Sequence, residues 1–317
     1  MWPGEWYLDA GALLIALVID LALREVPTPV HPVVWMGRLA SWLERAGPSS
    51  SGRAGEFVWG ICLALIVPGL FAVLSWAVAN ILRELGALPY LVGVGVLLST
   101  TFAVSGLARA ARNVESSMNS GDLAETRNGL RSLVSRDPTS LSPALVAAAA
   151  IESVAENTTD SYIGPWLAYA VLGLPGAFAY RAINTLDSMI GYRGKYEFLG
   201  KASAKLDDGI NLVPARLSAL MIVMSGTLLR LSPRRGWTWV WEGRRMTESP
   251  NAGWTIGAMA GLLGVALEKP GHYCIGVGMA DPGASHIGTS TRVAYAVAAI
   301  GLVVSLCVLA LRGLASG

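Results

Sequence analysis

The chain has 317 residues, of which 53% are hydrophobic and only 15% are charged, and its formal net charge is +2. Soluble domains carry about a quarter charged residues, so this deficit indicates a protein that has lipid as part of its solvent. The small net charge gives no support for a nucleic-acid-binding surface. The three cysteines lack CxxC spacing, which argues against a disulfide framework or a zinc site.

Long apolar runs predict membrane-spanning helices, because about 20 apolar residues cross a hydrocarbon core of about 30 Å. A short run at 8–23, with Asp9 and Asp20 near its ends, is the first predicted span. Longer runs, each predicted to cross the membrane, lie at 57–82, 89–108 and 293–311.

Other apolar runs allow two interpretations. The run at 166–183 is interrupted around Pro175, so it is either a span or two half-helices that dip into the membrane. The runs at 212–231 and 252–267 are spans or buried helices, because periodicity alone does not separate the two.

Polar stretches separate the apolar runs. Most of the lysines and arginines fall at 24–56, 109–163, 184–211 and 232–251, which by the positive-inside rule places these stretches in the cytoplasm. The stretch at 109–163 is predicted to be a helical insertion, with Asp122 and Ser142 as N-caps and Pro143 at a first helical position. The predicted fold is therefore all-α: residues 1–317 form one polytopic membrane helical bundle whose cytoplasmic helical loops carry the polar motifs.

Glu152, Glu156 and Asp160 recur every fourth residue, so on a helix they line one face. Like charges at that spacing repel one another, and a bound cation offsets the repulsion. Mg²⁺ usually takes one or two protein carboxylates together with substrate phosphates. The alternative is a solvated acidic face without a ligand.

A second polar group follows the apolar run that ends at 183. Arg181, Asn184, Thr185 and Ser188 share one helical side, with Asp187 beside them. Ionisable groups near membrane depth are costly and are usually paired and functional, which favours a site here. The alternative is that Arg181 only extends to the lipid headgroups.

A third group begins at Asp207 and Asp208, with Asn211 and Arg216 shortly after them. Adjacent carboxylates suit a metal–phosphate clamp, and an arginine neutralises a transferring phosphoryl group. Helix capping is the rival explanation for the two aspartates.

Smaller polar groups complete the set. His31 and Arg38 lie in the first polar loop, where a lone histidine is more often structural than catalytic. Asn251 directly precedes an apolar helix, where it suits capping or anion binding. Three alternating tryptophans beside arginines indicate an interfacial belt, with a stacking surface for a planar ligand as the alternative; they are Trp237, Trp239 and Trp241. Motifs of the common soluble nucleotide folds, such as GxxxxGK[ST] and GxGxxG, are absent from the sequence.

Taken together, these motifs resemble the CobD/CbiB family of cobalamin biosynthesis, the adenosylcobinamide-phosphate synthases. The resemblance follows the family's order over most of the chain, through His31-Pro32…Gly37-Arg38, Ser135-Arg136-Asp137, Glu152-Ser153-Val154-Ala155-Glu156-Asn157-Thr158, Tyr180-Arg181-Ala182-Ile183-Asn184-Thr185-Leu186-Asp187-Ser188-Met189, Leu206-Asp207-Asp208…Asn211…Pro214-Ala215-Arg216-Leu217 and Ser249-Pro250-Asn251-Ala252-Gly253-Trp254.

The resemblance implies a ligase that depends on ATP and Mg²⁺ and lies in the cell membrane, with its active face in the cytoplasm. It would join adenosylcobyric acid to 1-aminopropan-2-ol phosphate, or a related amino-alcohol phosphate, giving adenosylcobinamide phosphate. Phosphate from ATP would turn a carboxylate oxygen into a leaving group. Further partners would be a second copy of the chain or other corrinoid-pathway enzymes, and no nucleic acid is expected.

The same resemblance motivates a hypothesis for each polar group. Carboxylates would hold Mg²⁺–ATP, arginines would contact phosphates or corrin side chains, asparagines would orient ligands, and Asp187 would accept the proton of the amine. The metal set is Glu152, Glu156, Asp207 and Asp208; the arginines are Arg38, Arg181 and Arg216; the asparagines are Asn157, Asn184, Asn211 and Asn251.

Two other functions remain open. A non-catalytic AmpE-like membrane sensor shares the architecture, although a scaffold has no use for carboxylates and asparagines recurring at membrane-adjacent helix ends. A transporter for a corrinoid or a cation would fit charges within broken helices, but inverted repeats are not visible in the sequence.

Overall fold

A computed structural model describes residues 6–22, 29, 31–47, 52–192 and 194–316. The fold is 78% helical, and the strands in the described ranges form one two-stranded hairpin, which confirms the all-α class. The first five residues and Leu23, which sequence reasoning gave to the N-terminal segment and its helix, lie outside these ranges.

The chain divides into two compact units, each formed from separate stretches of sequence. The first unit consists of Met1–Ala103, Gly164–Ile210 and Val303–Gly317. Its helices are α1 (Trp6–Ala22), α2 (Pro32–Ala46), α3 (Gly52–Glu84), α4 (Ala87–Ser99), α8 (Gly164–Leu172), α9 (Leu174–Ile190), α10 (Lys201–Ile210) and the end of α14 (Ala284–Ser316).

The second unit consists of Val104–Ile163 and Asn211–Leu302. Its elements are α5 (Val104–Ser120), α6 (Leu123–Leu130), α7 (Pro143–Thr158), a π-helical turn (Thr159–Ile163), α11 (Leu212–Leu228), α12 (Pro233–Gly243), α13 (Ala252–Leu263), β1 (Leu267–Lys269), β2 (Tyr273–Ile275) and the first part of α14. The strands are antiparallel, with Glu268 opposite Cys274.

Three helices are long and apolar enough to cross a membrane, and they coincide with the three longest predicted spans. They are α3, the stretch Ala87–Ser120 that contains α4 and α5, and the part of α14 at Ala284–Ala315. Helices α10 and α11 qualify as a fourth only together, with a bend of 49° between them. Helix α1 has 17 residues within the described ranges and is not among these three helices, so the predicted first span stays a prediction.

Helix α3 shows why lipid is the expected neighbour. Only 33% of its most apolar 18-residue window is buried, and large aliphatic side chains such as Leu65 and Val73 are more than half exposed. A helix that is apolar on every side and exposed over most of its length is stable in hydrocarbon rather than in water.

The predicted interruption near Pro175 is confirmed, and it falls two residues earlier. Gly173 separates α8 from α9 and has φ of 71°, a left-handed conformation that favours glycine. Pro175 then takes one of the first helical positions, where its missing N–H breaks no hydrogen bond. The two short helices pack on each other, so this region is a broken helix rather than one straight span.

The caps predicted within 109–163 form as expected. Asp122 accepts a hydrogen bond from the Glu125 backbone N–H at 2.9 Å, and Ser142 accepts one from that of Leu145 at 3.3 Å. Between these caps, α6 ends at Leu130. The cytoplasmic position of the segment and the single-domain assignment of 1–317 stay predictions.

A buried ionic network joins four helices of the first unit. Asp9 on α1 accepts hydrogen bonds from the Tyr90 hydroxyl on α4 and the Arg312 guanidinium on α14. The same guanidinium donates to the Ala170 carbonyl on α8 at 2.9 Å, and the Tyr169 hydroxyl donates to the Asp9 carbonyl at 3.0 Å. Each charge is therefore paired inside an apolar environment, which a buried ion requires.

We expect Arg312→Gln to destabilise the protein by roughly 3 kcal/mol, because it leaves the buried Asp9 carboxylate without its cation. The measurement is unfolding in detergent, followed by circular dichroism. The double variant Asp9→Asn/Arg312→Gln should recover part of the loss, and Arg45→Gln, at an exposed position of α2, is the matched control. Equal stability of Arg312→Gln and the control would contradict this role.

Candidate functional site

Helix α7 carries the first acidic pair inside the second unit. Its residues from Val146 to Ala155 are all buried, and half of them are alanines that let neighbouring elements approach closely. The small side chains leave Glu152 as a charged group in a tightly packed interior, where its side chain is 7% exposed. A carboxylate in that position needs compensating charge or hydrogen bonds.

Two cations from distant parts of the sequence approach Glu152. Arg136 lies in the loop after α6, with its Nη2 at 3.6 Å from Glu152 Oε2. Lys269 lies on β1, with its Nζ at 4.0 Å from Glu152 Oε1. Tyr273 on β2 hydrogen-bonds the same carboxylate. These basic partners come from distant parts of the chain, so the spacing of residues along α7 does not reveal them.

Burial and mutual repulsion change the protonation of this group. Burial raises the pKa of Glu152, and the neighbouring Arg136 and Lys269 oppose that rise. Burial and the charge of Glu152 raise the pKa of Glu156 to about 7. The pair therefore carries less than two full negative charges near neutral pH, against two cations.

Asn157 is held within its own helix and turn. Its amide nitrogen donates to the Ser153 carbonyl at 2.9 Å, and its carbonyl oxygen accepts from the Ser161 hydroxyl at 2.8 Å. Asp160 lies in the π-helical turn, where the extra residue alters the fourth-residue spacing from Glu152 and Glu156. The ligand-orienting role of Asn157 stays a prediction.

Helix α9 carries the second polar group, in the first unit. Arg181 Nη1 donates to Asn184 Oδ1 at 3.3 Å, and the Thr185 hydroxyl donates to the Arg181 carbonyl at 2.7 Å. These contacts confirm that the predicted polar side chains share one side of the helix. Asp187 lies one turn further, near the end of the helix.

Glycines bring the end of α9 against the start of α10. A Cβ on Gly191 would overlap Asp187 Oδ1, and a Cβ on Gly200 would overlap the Ile190 carbonyl. Asp187 on α9 interacts electrostatically with Asp207 and Asp208 on α10. Burial, followed by the charges of those two aspartates, raises the pKa of Asp187 to about 7. Three carboxylates of the first unit thus influence one another through their charges.

Asp207 and Asp208 lie in the last turn of α10 and not at the start of a helix. The rival explanation, helix capping, is therefore wrong, because the N-cap position of α11 belongs to Asn211. Negative charge at a helix C-terminus is unfavourable, since the macrodipole is negative there. Lys205 Nζ, at 3.5 Å from Asp208 Oδ2, is largely exposed and offsets little of it.

Arg216 and Asn251 are in contact in the second unit, and the ligand roles predicted for them stay predictions. Arg216 Nη1 donates to Asn251 Oδ1 at 2.6 Å, and its guanidinium lies 4.7 Å from the centre of the Trp254 ring. Trp241 packs edge-to-face on Trp254, with Arg244 over both rings. Alternating arginines and tryptophans form this surface, which agrees with either the interfacial belt or the stacking surface.

The first polar loop supplies one helix cap and one exposed arginine. His31 caps α2, since its Nδ1 accepts a hydrogen bond from the Val33 N–H at 3.2 Å, which is the structural role expected of a lone histidine. Arg38 is exposed on the same helix. Asn211 is buried and is the N-cap residue of α11. The ligand contacts of Arg38 and Asn211 stay predictions.

Within the described ranges, no three His, Cys, Asp or Glu side chains are placed to hold a metal ion by themselves. A metal at either acidic group would need oxygens from another molecule, as Mg²⁺ commonly takes from phosphates.

Sequence reasoning missed Lys269 and Tyr273 entirely, and it noticed Arg136 only as part of a family motif. For Lys269 and Tyr273, the signal available in the sequence was a basic and an aromatic residue in an otherwise glycine-rich polar stretch.

The fold and these sites define a helical membrane protein with two acidic groups of different electrostatic character. The sequence model of the CobD/Cbib protein family matches residues 13–306, almost the whole chain. The chain therefore belongs to the CobD/CbiB family, and its role is in cobalamin biosynthesis. No solved structure matches the chain.

Individual relatives agree with this membership. The chain is 42% identical over 263 residues to the cobalamin biosynthesis protein CobD of Dehalococcoides mccartyi, covering 83% of this chain and 85% of that protein. It is 37% identical to the probable cobalamin biosynthesis protein CobD of Methanothermobacter thermautotrophicus, over 84% and 87%. It is also 37% identical to the cobalamin biosynthesis protein CbiB of Salmonella typhi, over 83% of each chain.

We expect Asp187→Asn to stabilise the protein at pH 8 and to have little effect at pH 4. The raised pKa means that the folded protein binds more protons than the unfolded chain between about pH 4 and about pH 7, so stability falls as pH rises through that window. The expected gain in Tm at pH 8 is roughly 2–4 °C, which corresponds to about 1 kcal/mol of unfolding free energy for a chain of this size.

The measurement is thermal unfolding in detergent at both pH values, with EDTA present so that no divalent cation screens the aspartates. Asp281→Asn, at an exposed position, is the control for removing one negative charge. A loss of stability at pH 8 in Asp187→Asn would show that the carboxylate is compensated in the folded protein.

Proposed function

We propose that this protein is an ATP-dependent ligase that joins adenosylcobyric acid to 1-aminopropan-2-ol phosphate, or a close amino-alcohol relative, forming adenosylcobinamide phosphate. Family membership supports a step in cobalamin biosynthesis. The observation that carries the finer proposal is the charge interaction of Asp187 with Asp207 and Asp208 in the first unit, which together with burial raises the pKa of Asp187 to about 7. Such a group attracts a cation that brings its own anionic ligands.

The chemistry explains why ATP is a substrate. A carboxylate does not accept an amine at neutral pH, because its oxygen is a poor leaving group. Transfer of the γ-phosphoryl group of ATP to that oxygen makes phosphate the leaving group. The amine then forms the C–N bond, loses a proton, and releases phosphate beside the ADP already formed. The protein's part is to align the reactants and stabilise the transferring charge.

The residues of the first unit fit Mg²⁺ carrying phosphates. Two carboxylates on adjacent positions of α10, at a helix end that disfavours negative charge, gain from a divalent cation, which would neutralise them and the phosphates together. Because no complete metal-ligand set exists among the described residues, the remaining oxygens would come from ATP and water. We assign this role to Asp207 and Asp208, and keep Asp187 as the proposed proton acceptor.

Glu152 and Glu156 fit Mg²⁺ poorly. Arg136 and Lys269 already offset their charge, so a divalent cation would meet two positive groups on approach. We therefore leave this pair out of the proposed metal site.

Other parts of the proposal follow from the arginines and asparagines that contact each other. Arg181 and Arg216 would contact phosphate or corrin carboxylate groups, since guanidinium groups bind both in bidentate geometry. Asn184 and Asn251, which already bond those two arginines, would fix their orientation. We place the protein in the cell membrane with its polar motifs on the cytoplasmic side, where ATP is available.

We expect Asp207→Asn and Asp208→Asn each to lower turnover by at least about 100-fold, because each removes a charge that holds the metal against the transferring phosphoryl group. The assay contains detergent-purified protein, adenosylcobyric acid, 1-aminopropan-2-ol phosphate, Mg²⁺ and ATP. Mass spectrometry of the corrinoid reads amide formation directly.

Two controls sharpen this experiment. Asp281→Asn should retain full activity, and reactions without ATP should give no mass increase. Full activity in both aspartate variants would refute the metal role of α10. Folded wild-type protein that forms no product, with ethanolamine phosphate also tried, would favour the AmpE-like sensor function.

A further inference from the structure

The guanidinium of Arg136 is buried without a hydrogen-bond acceptor. Its Nε and both terminal nitrogens are shielded from solvent, and none of them donates to any residue in the described part of the chain. Its nearest opposite charge is Glu152 Oε2, at 3.6 Å, beyond hydrogen-bonding distance. That oxygen also receives no hydrogen bond from the described residues. Buried charged groups with open hydrogen-bonding positions are uncommon and call for a ligand or another explanation.

Lys269 makes this a two-cation arrangement. It approaches from β1 on the hairpin, whereas Arg136 approaches from the loop after α6, and both face the same glutamate. The Lys269 side chain is 37% exposed, so this cation is open on its outer side. A guanidinium fork with an adjacent ammonium is the usual protein arrangement for binding phosphate oxygens.

Glu152 and Glu156, beside the two cations, discriminate between different phosphate-containing ligands. Glu156 lies one helical turn from Glu152 and interacts electrostatically with both cations. A triphosphate gains from Arg136 and Lys269 but is repelled by both glutamates. A small zwitterion with a phosphate at one end and an ammonium at the other gains from the cations and from Glu156 together.

We propose that Arg136 and Lys269 bind the phosphate of the amino-alcohol phosphate substrate and that Glu156 binds its ammonium group. Glu152 is then a positioning residue that holds the two cations in place. This inference rests on the proposed function for the identity of the ligand. It assigns the site in the second unit to the amine substrate rather than to metal or ATP.

The test measures binding, so it does not depend on turnover. Full-length protein in detergent is titrated by calorimetry with 1-aminopropan-2-ol phosphate, isopropyl phosphate and 1-aminopropan-2-ol. Isopropyl phosphate keeps the phosphate and lacks the amine, while the free amino alcohol lacks the phosphate. Wild-type protein should bind the complete substrate most tightly.

Arg136→Gln should weaken both phosphate ligands by about 10- to 100-fold, the usual effect of losing hydrogen bonds to a charged group. Glu156→Gln should weaken only the complete substrate, by about 10-fold, and leave isopropyl phosphate unchanged. Arg131→Gln, at an exposed arginine in the same loop, is the matched control and should change neither. Lys269→Gln, at a half-exposed position, tests the phosphate site should Arg136→Gln fail to fold.

The outcomes separate this inference from the proposed reaction. Unchanged binding of both phosphate ligands in folded Arg136→Gln and Lys269→Gln would overturn the inference. Equal weakening of isopropyl phosphate in Glu156→Gln would overturn the role of that residue. Binding that follows the expected pattern, with no amide formed in the full assay, would support the site and refute the ligase.

Discussion

The ion pair between Asp9 and Arg312 is the constraint on which the first unit depends. An unpaired carboxylate or guanidinium among apolar helices carries a large desolvation cost, so neither helix is stable there without the other. The pair joins α1 to the end of α14, and hydroxyl groups from α4 and α8 complete it. Helices that carry few other polar groups are thereby held in one arrangement. The unit that carries Asp187, Asp207 and Asp208 is therefore built around a charge that itself takes no part in the proposed reaction.

The two acidic groups differ in how their charge is balanced, and this difference decides what each can bind. In the first unit, burial and then the charges of Asp207 and Asp208 raise the pKa of Asp187 to about 7. In the second unit, Arg136 and Lys269 oppose Glu152 directly. The first group attracts a cation and the second accommodates an anion. A ligase that joins an activated carboxylate to a phosphorylated amine needs sites of both kinds.

Several sequence-based expectations were correct because their causes are local. The caps at Asp122 and Ser142 depend on residues three positions away, and the break near Pro175 depends on a glycine and a proline in one turn. The structural role of His31 is likewise a cap within two residues. By contrast, the capping explanation for Asp207 and Asp208 was wrong, because helix α10 extends past both of them before it bends.

The sequence by itself determined the helical membrane class, the three longest spans and the family, since apolar length and motif order are properties of the chain alone. Only the tertiary structure decided which charges meet. Lys269 is more than a hundred positions from Glu152, and Arg312 is about three hundred from Asp9, so no periodicity in the sequence relates them. Because the cost of a buried charge depends on its neighbours in space, the chemical character of each site follows from packing and could not be predicted from spacing.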